Sequence, residues 1–173
     1  MSRCTRMNDF DRLLDHWRLV VNHTAVELSE VDDAAARRRP APGKWSIKEI
    51  VGHLIDSASN NHRRFVEVQG KDDLICQGYA QDDWVQCQRY QEVALADLLR
   101  LWAAYNHHLA HVVATTPRPV LEQLRTKHNL DEVAWQAVPR DKPVTLAYFV
   151  RDYVGHFEHH LAQIRALLPR GEA

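Results

Sequence analysis

The chain has 173 residues, 22 Lys+Arg against 23 Asp+Glu, a formal net charge of -1, and 45% apolar and 26% charged residues. That balance excludes a disordered polyelectrolyte and argues against a binder of nucleic-acid backbones, which carries a basic excess. No run approaches the roughly 18 apolar residues of a membrane span, and Asp9, Asp11 and Asp15 interrupt any signal-peptide core; a cytoplasmic protein with one domain over residues 1–173 is expected. In residues 8–35 the apolar positions Phe10, Leu13, Leu14, Trp17, Val20, Val21, Leu28 and Val31 recur at three- and four-residue steps, which predicts a first amphipathic helix. Pro40, Pro42 and Gly43 end it, and Arg37, Arg38 and Arg39 before them read as a solvated loop. Ser46-Ile-Lys-Glu49 then has the spacing of a capping box, opening a second helix that runs to Gly70. Residues 71–91 lose the helical period and read as a long loop carrying Tyr79 and Trp84, with room for a short helical turn. A third helix spans about 92–115, and 116–143 form another connector in which Leu121–Leu124 or Asp131–Trp135 could make a turn. Thr145 opens a fourth helix, closed by Pro169 and Gly171.

Four helices without an alternating strand pattern predict an all-α four-helix bundle with two long connecting loops. Loops of that length are functional or carry local structure, and they are expected to wall a pocket at one end. Histidine stands out, with eleven residues in the chain. An i,i+4 pair on a helix presents two imidazoles to one ion, and two such pairs occur, His107/His111 and His156/His160. At about 100° per residue, His107 and His111 point away from the apolar stripe of their helix, whereas His160 and His156 lie roughly 50° and 90° from theirs. The second pair therefore edges the core. Asp152 and Gln163 sit one turn to either side of it and could orient an imidazole, although two half-buried, hydrogen-bonded histidines are an equally natural use of such positions. A third ligand must come from another helix. On the second helix periodicity favours His62 over His53, which lies roughly 135° from the stripe centre, but that helix faces more than one neighbour and the spacing alone does not choose.

Three segments together resemble the DinB-like superfamily, in particular its bacillithiol-transferase-like branch. They are Gly43-Lys-Trp-Ser-Ile-Lys-Glu-Ile-Val-Gly-His53-Leu-Ile-Asp-Ser57 with Asn60 and Arg64-Phe65, the loop Tyr79-Ala-Gln-Asp-Asp-Trp84, and Asp152-Tyr-Val-Gly-His156-Phe-Glu-His-His160-Leu-Ala-Gln163-Ile164. The likeness runs from about Pro42 to Ile164. It implies a divalent nickel or zinc ion on three histidines, which fall here on His53, His156 and His160, and so places the third ligand at His53 rather than His62. It also implies a small-molecule thiol and an electrophile as partners, and a homodimer as the assembly.

Three histidines leave positions open to solvent, the mark of a catalytic rather than a structural site. An ion there can activate water for hydrolysis or hold a low-molecular-weight thiol as thiolate for transfer. No H-E-x-x-H arrangement supplies a peptidase base. Asp56 and Glu158 could serve as acid/base groups but read as solvated surface charges on their helices, Tyr79 and Trp84 as loop anchors that could also roof the pocket. Cys4, Cys76 and Cys87 fit neither a zinc ribbon nor a disulfide framework and read as reduced thiols. The alternative to an enzyme is a non-catalytic module that binds metal or a small ligand.

Overall fold

The computed structural model describes residues 8–168; Cys4 and the expected stop at Pro169 and Gly171 lie outside them. Among the described residues the chain forms α1 (Asp9–Ser29), α2 (Asp33–Arg37), α3 (Ile47–Glu67), α4 (Gln81–Gln88), α5 (Leu95–Thr115), α6 (Arg118–Glu122), α7 (Leu130–Val133) and α8 (Leu146–Leu167). The four long helices, each roughly 32 Å from end to end, are the expected all-α four-helix bundle. α1 and α3 each pack against both α5 and α8, so the order around the bundle is α1, α5, α3, α8. Among the described residues no helix is long and apolar enough to cross a membrane.

Each bundle helix starts where local chemistry allows. Asn8 accepts from the backbone N–H groups of Phe10 and Asp11 at the head of α1, and Thr145 accepts from Tyr148 at the head of α8. Ser46 and Glu49 form the expected capping box of α3, with the Glu49 carboxylate accepting from the Ser46 N–H at 2.9 Å. The first helix is shorter than its periodicity predicts: α1 stops at Ser29, and Asp32 accepts from Ala35 N at 3.0 Å to start α2 afresh. A side chain that caps a new turn competes here with continuation of the old one.

Within the apolar core a polar knot ties helices together. Trp17 of α1 and Tyr153 of α8 both donate to Asn106 Oδ1 of α5, at 3.1 and 2.7 Å, and Trp17 meets Tyr153 edge-on at 5.3 Å. Three helices are keyed to one buried amide. α3 is the most enclosed element, every residue from Ile47 to Ala58 being buried. Its Gly52 admits the Tyr90 ring so closely that a Cβ there would lie 2.0 Å from Tyr90 Cδ2.

Both long connectors carry local structure and are fastened to each other. Leu74 N donates to Lys127 O at 2.9 Å, and the Asn129 side chain pairs with both backbone groups of Cys76 at 2.9 Å. Arg125 and Val144 exchange backbone hydrogen bonds at 2.8 and 3.0 Å. α4 exceeds the short turn foreseen in residues 71–91; its single buried residue, Val85, leaves no stripe for periodicity to detect. The second connector docks on α8, where the Asp152 carboxylate accepts the backbone N–H groups of Trp135 and Gln136, each at 2.8 Å.

Candidate metal centre

His53 projects from α3, and His156 and His160 from α8. The Nε2 atoms of His53 and His156 lie 3.3 Å apart and those of His156 and His160 3.1 Å apart. All three ligand atoms fall within 4.8 Å of one another. Two nitrogens at about 2.0–2.1 Å from a tetrahedral zinc are separated by roughly 3.4 Å, so the spacing suits a shared ion. The donor set fits as well. Three imidazole nitrogens converging on one point cannot all be satisfied by hydrogen bonds among themselves, since a donor is needed for every acceptor.

Burial keeps these rings neutral. His53 is 1% exposed, and burial first, then the His160 charge, depresses its pKa to about 3. Burial, followed by the charges of His160 and His53, brings His156 to about 3 as well, and burial also lowers His160. Neutral imidazoles are the form that binds metal. Ring orientation is set around the centre. His160 Nδ1 donates to Gln163 Oε1 at 2.9 Å, which leaves its Nε2 lone pair facing inward. Ser57 Oγ lies 3.3 Å from His156 Nδ1. His53 Nδ1 is buried with no hydrogen-bond partner among the described residues, and its ring packs instead on Trp45 at 4.9 Å.

A cavity of about 240 Å³ opens beside His53 and His156. Its walls come from α3, from α8, and from the connectors at Gly78–Tyr79 and Glu132–Trp135, so the long loops do wall a pocket. Polar groups run down its α3 wall: Asn61 Nδ2 donates to the Ser57 carbonyl at 2.9 Å, and Arg64 Nη1 reaches Asn61 Oδ1 at 3.4 Å. Trp135 stands 6.5 Å from the His156 ring and is let in by Gly155, where a Cβ would sit 2.9 Å from Trp135 Cζ3.

Other sequence candidates fall elsewhere. His62 faces Tyr105 and His108 rather than the histidine cluster. His107 bonds Asn22 at 2.9 Å, and His111 is exposed. Gln163 orients an imidazole as foreseen, but Asp152 does not; its oxygens hold the second connector. Asp56 is buried rather than a solvated charge, accepting from Tyr90 at 2.6 Å and Gln88 at 2.5 Å, whereas Glu158 is at the surface and pairs with His16 at 2.6 Å. Tyr79 lines the cavity, with burial pushing its phenol up to about 12, while Trp84 packs against Tyr79 from outside at 5.1 Å. Cys76 and Cys87 are free thiols, buried and exposed respectively, and neither lines the cavity. Trp45 and Trp135 had no place in the sequence reading of the site, because no ligand spacing marks an aromatic that packs over one.

The sequence model of the DinB superfamily matches residues 12–164. Among solved structures the chain is similar to YfiT from Bacillus subtilis, described as a probable metal-dependent hydrolase with an unusual four-helix bundle topology. The two share 17% identity at a TM-score of 0.69, over 96% of this chain and 91% of that one. No curated protein matches the chain.

Proposed function

The chain belongs to the DinB superfamily, and from that premise we propose that it is a metal-dependent enzyme in which His53, His156 and His160 hold a divalent nickel or zinc ion. The reaction we assign is activation of a small thiol for transfer to a small electrophile, as in the bacillithiol-transferase-like branch. The observation that supports a metal-dependent site is the convergence of three neutral Nε2 atoms at the wall of a cavity. Such an ion supplies positive charge that favours the deprotonated form of a bound thiol or water near neutral pH.

The chain's own residues do the rest. Gln163 and Ser57 hold two of the rings in register, and Trp45 and Trp135 shield their flanks from water. The carboxylates that line the cavity or sit one turn from His53 are already engaged: Asp152 by two backbone donors, Glu132 by Arg140 and Asp56 by Tyr90 and Gln88. Hydrolysis assisted by a general base would require one of them to be released. A thiol deprotonated by the ion's charge needs no such base, which favours transfer. Hydrolysis is the second reading, favoured by the description of YfiT.

Metal analysis of wild type beside His160→Ala, with assays against a panel of cellular thiols and a chlorinated aromatic acceptor, tests the proposal. Near-stoichiometric metal in wild type, its loss in the variant, and metal-dependent thioether formation support it. Product without thiol supports the hydrolase. Tight metal binding without turnover supports a non-catalytic module, and unchanged metal in His160→Ala removes the assigned ligand.

A further inference from the structure

Arg64 is 6% exposed and lines the cavity beside the histidines. Among the described residues no carboxylate pairs with it; its hydrogen bonds go to the Gln77 carbonyl, from Nε at 3.2 Å and Nη2 at 2.8 Å, and to Asn61 Oδ1 from Nη1 at 3.4 Å. That leaves one N–H on each terminal nitrogen uncommitted. Phe149 lies 5.9 Å from the guanidinium carbon and backs the group on one side. Arg125, the other deeply buried arginine, is different. Its terminal nitrogens spread over the carbonyls of Val120, Gln123 and Val68, and it does not line this cavity. Arg125 staples backbone, whereas Arg64 keeps donors for something else.

We propose that Arg64 binds a carboxylate of the substrate, so that the cavity selects a small monoanionic ligand whose charged end sits on the guanidinium and whose reactive end reaches the histidine cluster. This deepens, and rests on, the metal-enzyme reading. A buried guanidinium that feels Asp152 only at a distance and has no carboxylate oxygen on its N–H groups is costly, and a ligand carboxylate supplies the planar, two-oxygen acceptor that it matches. A single negative charge is the most the ligand can carry there: Asp152, held by two backbone N–H groups, and Glu132, paired with Arg140, line the same cavity, so a dianionic phosphate would meet two carboxylates as well as the arginine. The geometry also sets a length. Arg64 lies eleven residues beyond His53 on the same helix, a rise of roughly 16 Å, shortened by a side chain that leans back toward the helix start. The ligand must therefore span several bonds.

The test compares charged and neutral probes of equal shape. Binding of 3-mercaptopropionate, 4-mercaptobutyrate and 6-mercaptohexanoate is measured by calorimetry on metal-loaded protein against the corresponding amides, and hexanoate against hexanamide on metal-free protein. The first arm places the carboxylate on the thiol; the second reads Arg64 with no ion involved. A charged-over-neutral preference of about tenfold to hundredfold, lost in Arg64→Gln while amide affinity is kept, is the expected result in either arm. A preference confined to the mercapto series assigns the carboxylate to the thiol, and one shown by hexanoate assigns it to the other substrate. Arg64→Lys, which keeps the charge, retains part of the preference and answers for Arg64→Gln if that variant fails to fold. Absence of any preference in wild type, in both arms, or its survival in Arg64→Gln, overturns the proposal. Metal content measured on the same samples reports separately whether the histidine reading stands.

Discussion

The imidazole of His160 owes its inward lone pair to a single hydrogen bond, from Nδ1 to Gln163 Oε1 at 2.9 Å. Partners of this kind typically affect metal affinity tenfold to a hundredfold, so Gln163→Ala is expected to weaken metal binding by about tenfold. A chelator competition titration measures it, with helical content unchanged. The same rings make stability depend on pH. Burial and its imidazole neighbours hold His53 and His156 at about 3, against 6.5 for an unperturbed ring. With the folded pKa below the unfolded one, the unfolded chain takes up the protons. The stability due to the neutral rings is complete above pH ~6.5 and is lost as pH falls toward 3. At pH 5 each ring costs about 2 kcal/mol. Urea melts of metal-free protein at pH 7.5 and 5 should show a fall of about 4 kcal/mol for the two rings together, cut to about half in His156→Gln; an equal fall in the variant would assign the effect to other groups.

The choice between His53 and His62 shows what one element's period can and cannot convey. A stripe centre is defined only when a helix has one buried face, and α3 is buried all round from Ile47 to Ala58. His53 thus looked peripheral by angle although it is 1% exposed. The helix starts were legible because capping is local: Ser46 and Glu49 are three residues apart and need nothing else. α4 was not, since it is held by contacts from α3 rather than by a stripe of its own. Just beyond α4, Tyr90 packs onto α3 at Gly52. Any larger residue there drives a Cβ into the Tyr90 ring, at 2.0 Å from its Cδ2, and Tyr90 also donates to the buried Asp56 carboxylate. Overpacking of this kind costs 1–3 kcal/mol, so Gly52→Ala is expected to lose about 2–3 kcal/mol in urea denaturation. Gly70→Ala, with open space around its Cβ position, serves as the control.

At the scale of the whole molecule, the histidine cluster joins two helices whose converging rings, His53 and His156, are 103 residues apart in the chain. The number and order of bundle helices could be read from apolar steps, and the connectors' length announced a pocket. Tyr79 of the first connector could be read as a roof and does line it, but the second connector's part could not, because Asp152 holds Trp135 in place through backbone groups that carry no sequence signature. An ion at the cluster would bind only a chain already folded, apart from the weak local pair His156/His160, and so would act as a strut between α3 and α8. Free ion at about a hundred times its dissociation constant adds about 2.7 kcal/mol, and at this size each kcal/mol moves Tm by about 2–4 °C. Saturating zinc or nickel should therefore raise Tm by about 5–10 °C in differential scanning calorimetry. His62→Ala should keep the whole shift, since that ring faces Tyr105 and His108. His53→Ala should lose nearly all of it, because the pair left on α8 no longer bridges two elements. A shift of full size in His53→Ala would mean that the ion stabilises α8 alone, and the two helices would then need another reason to meet at this point.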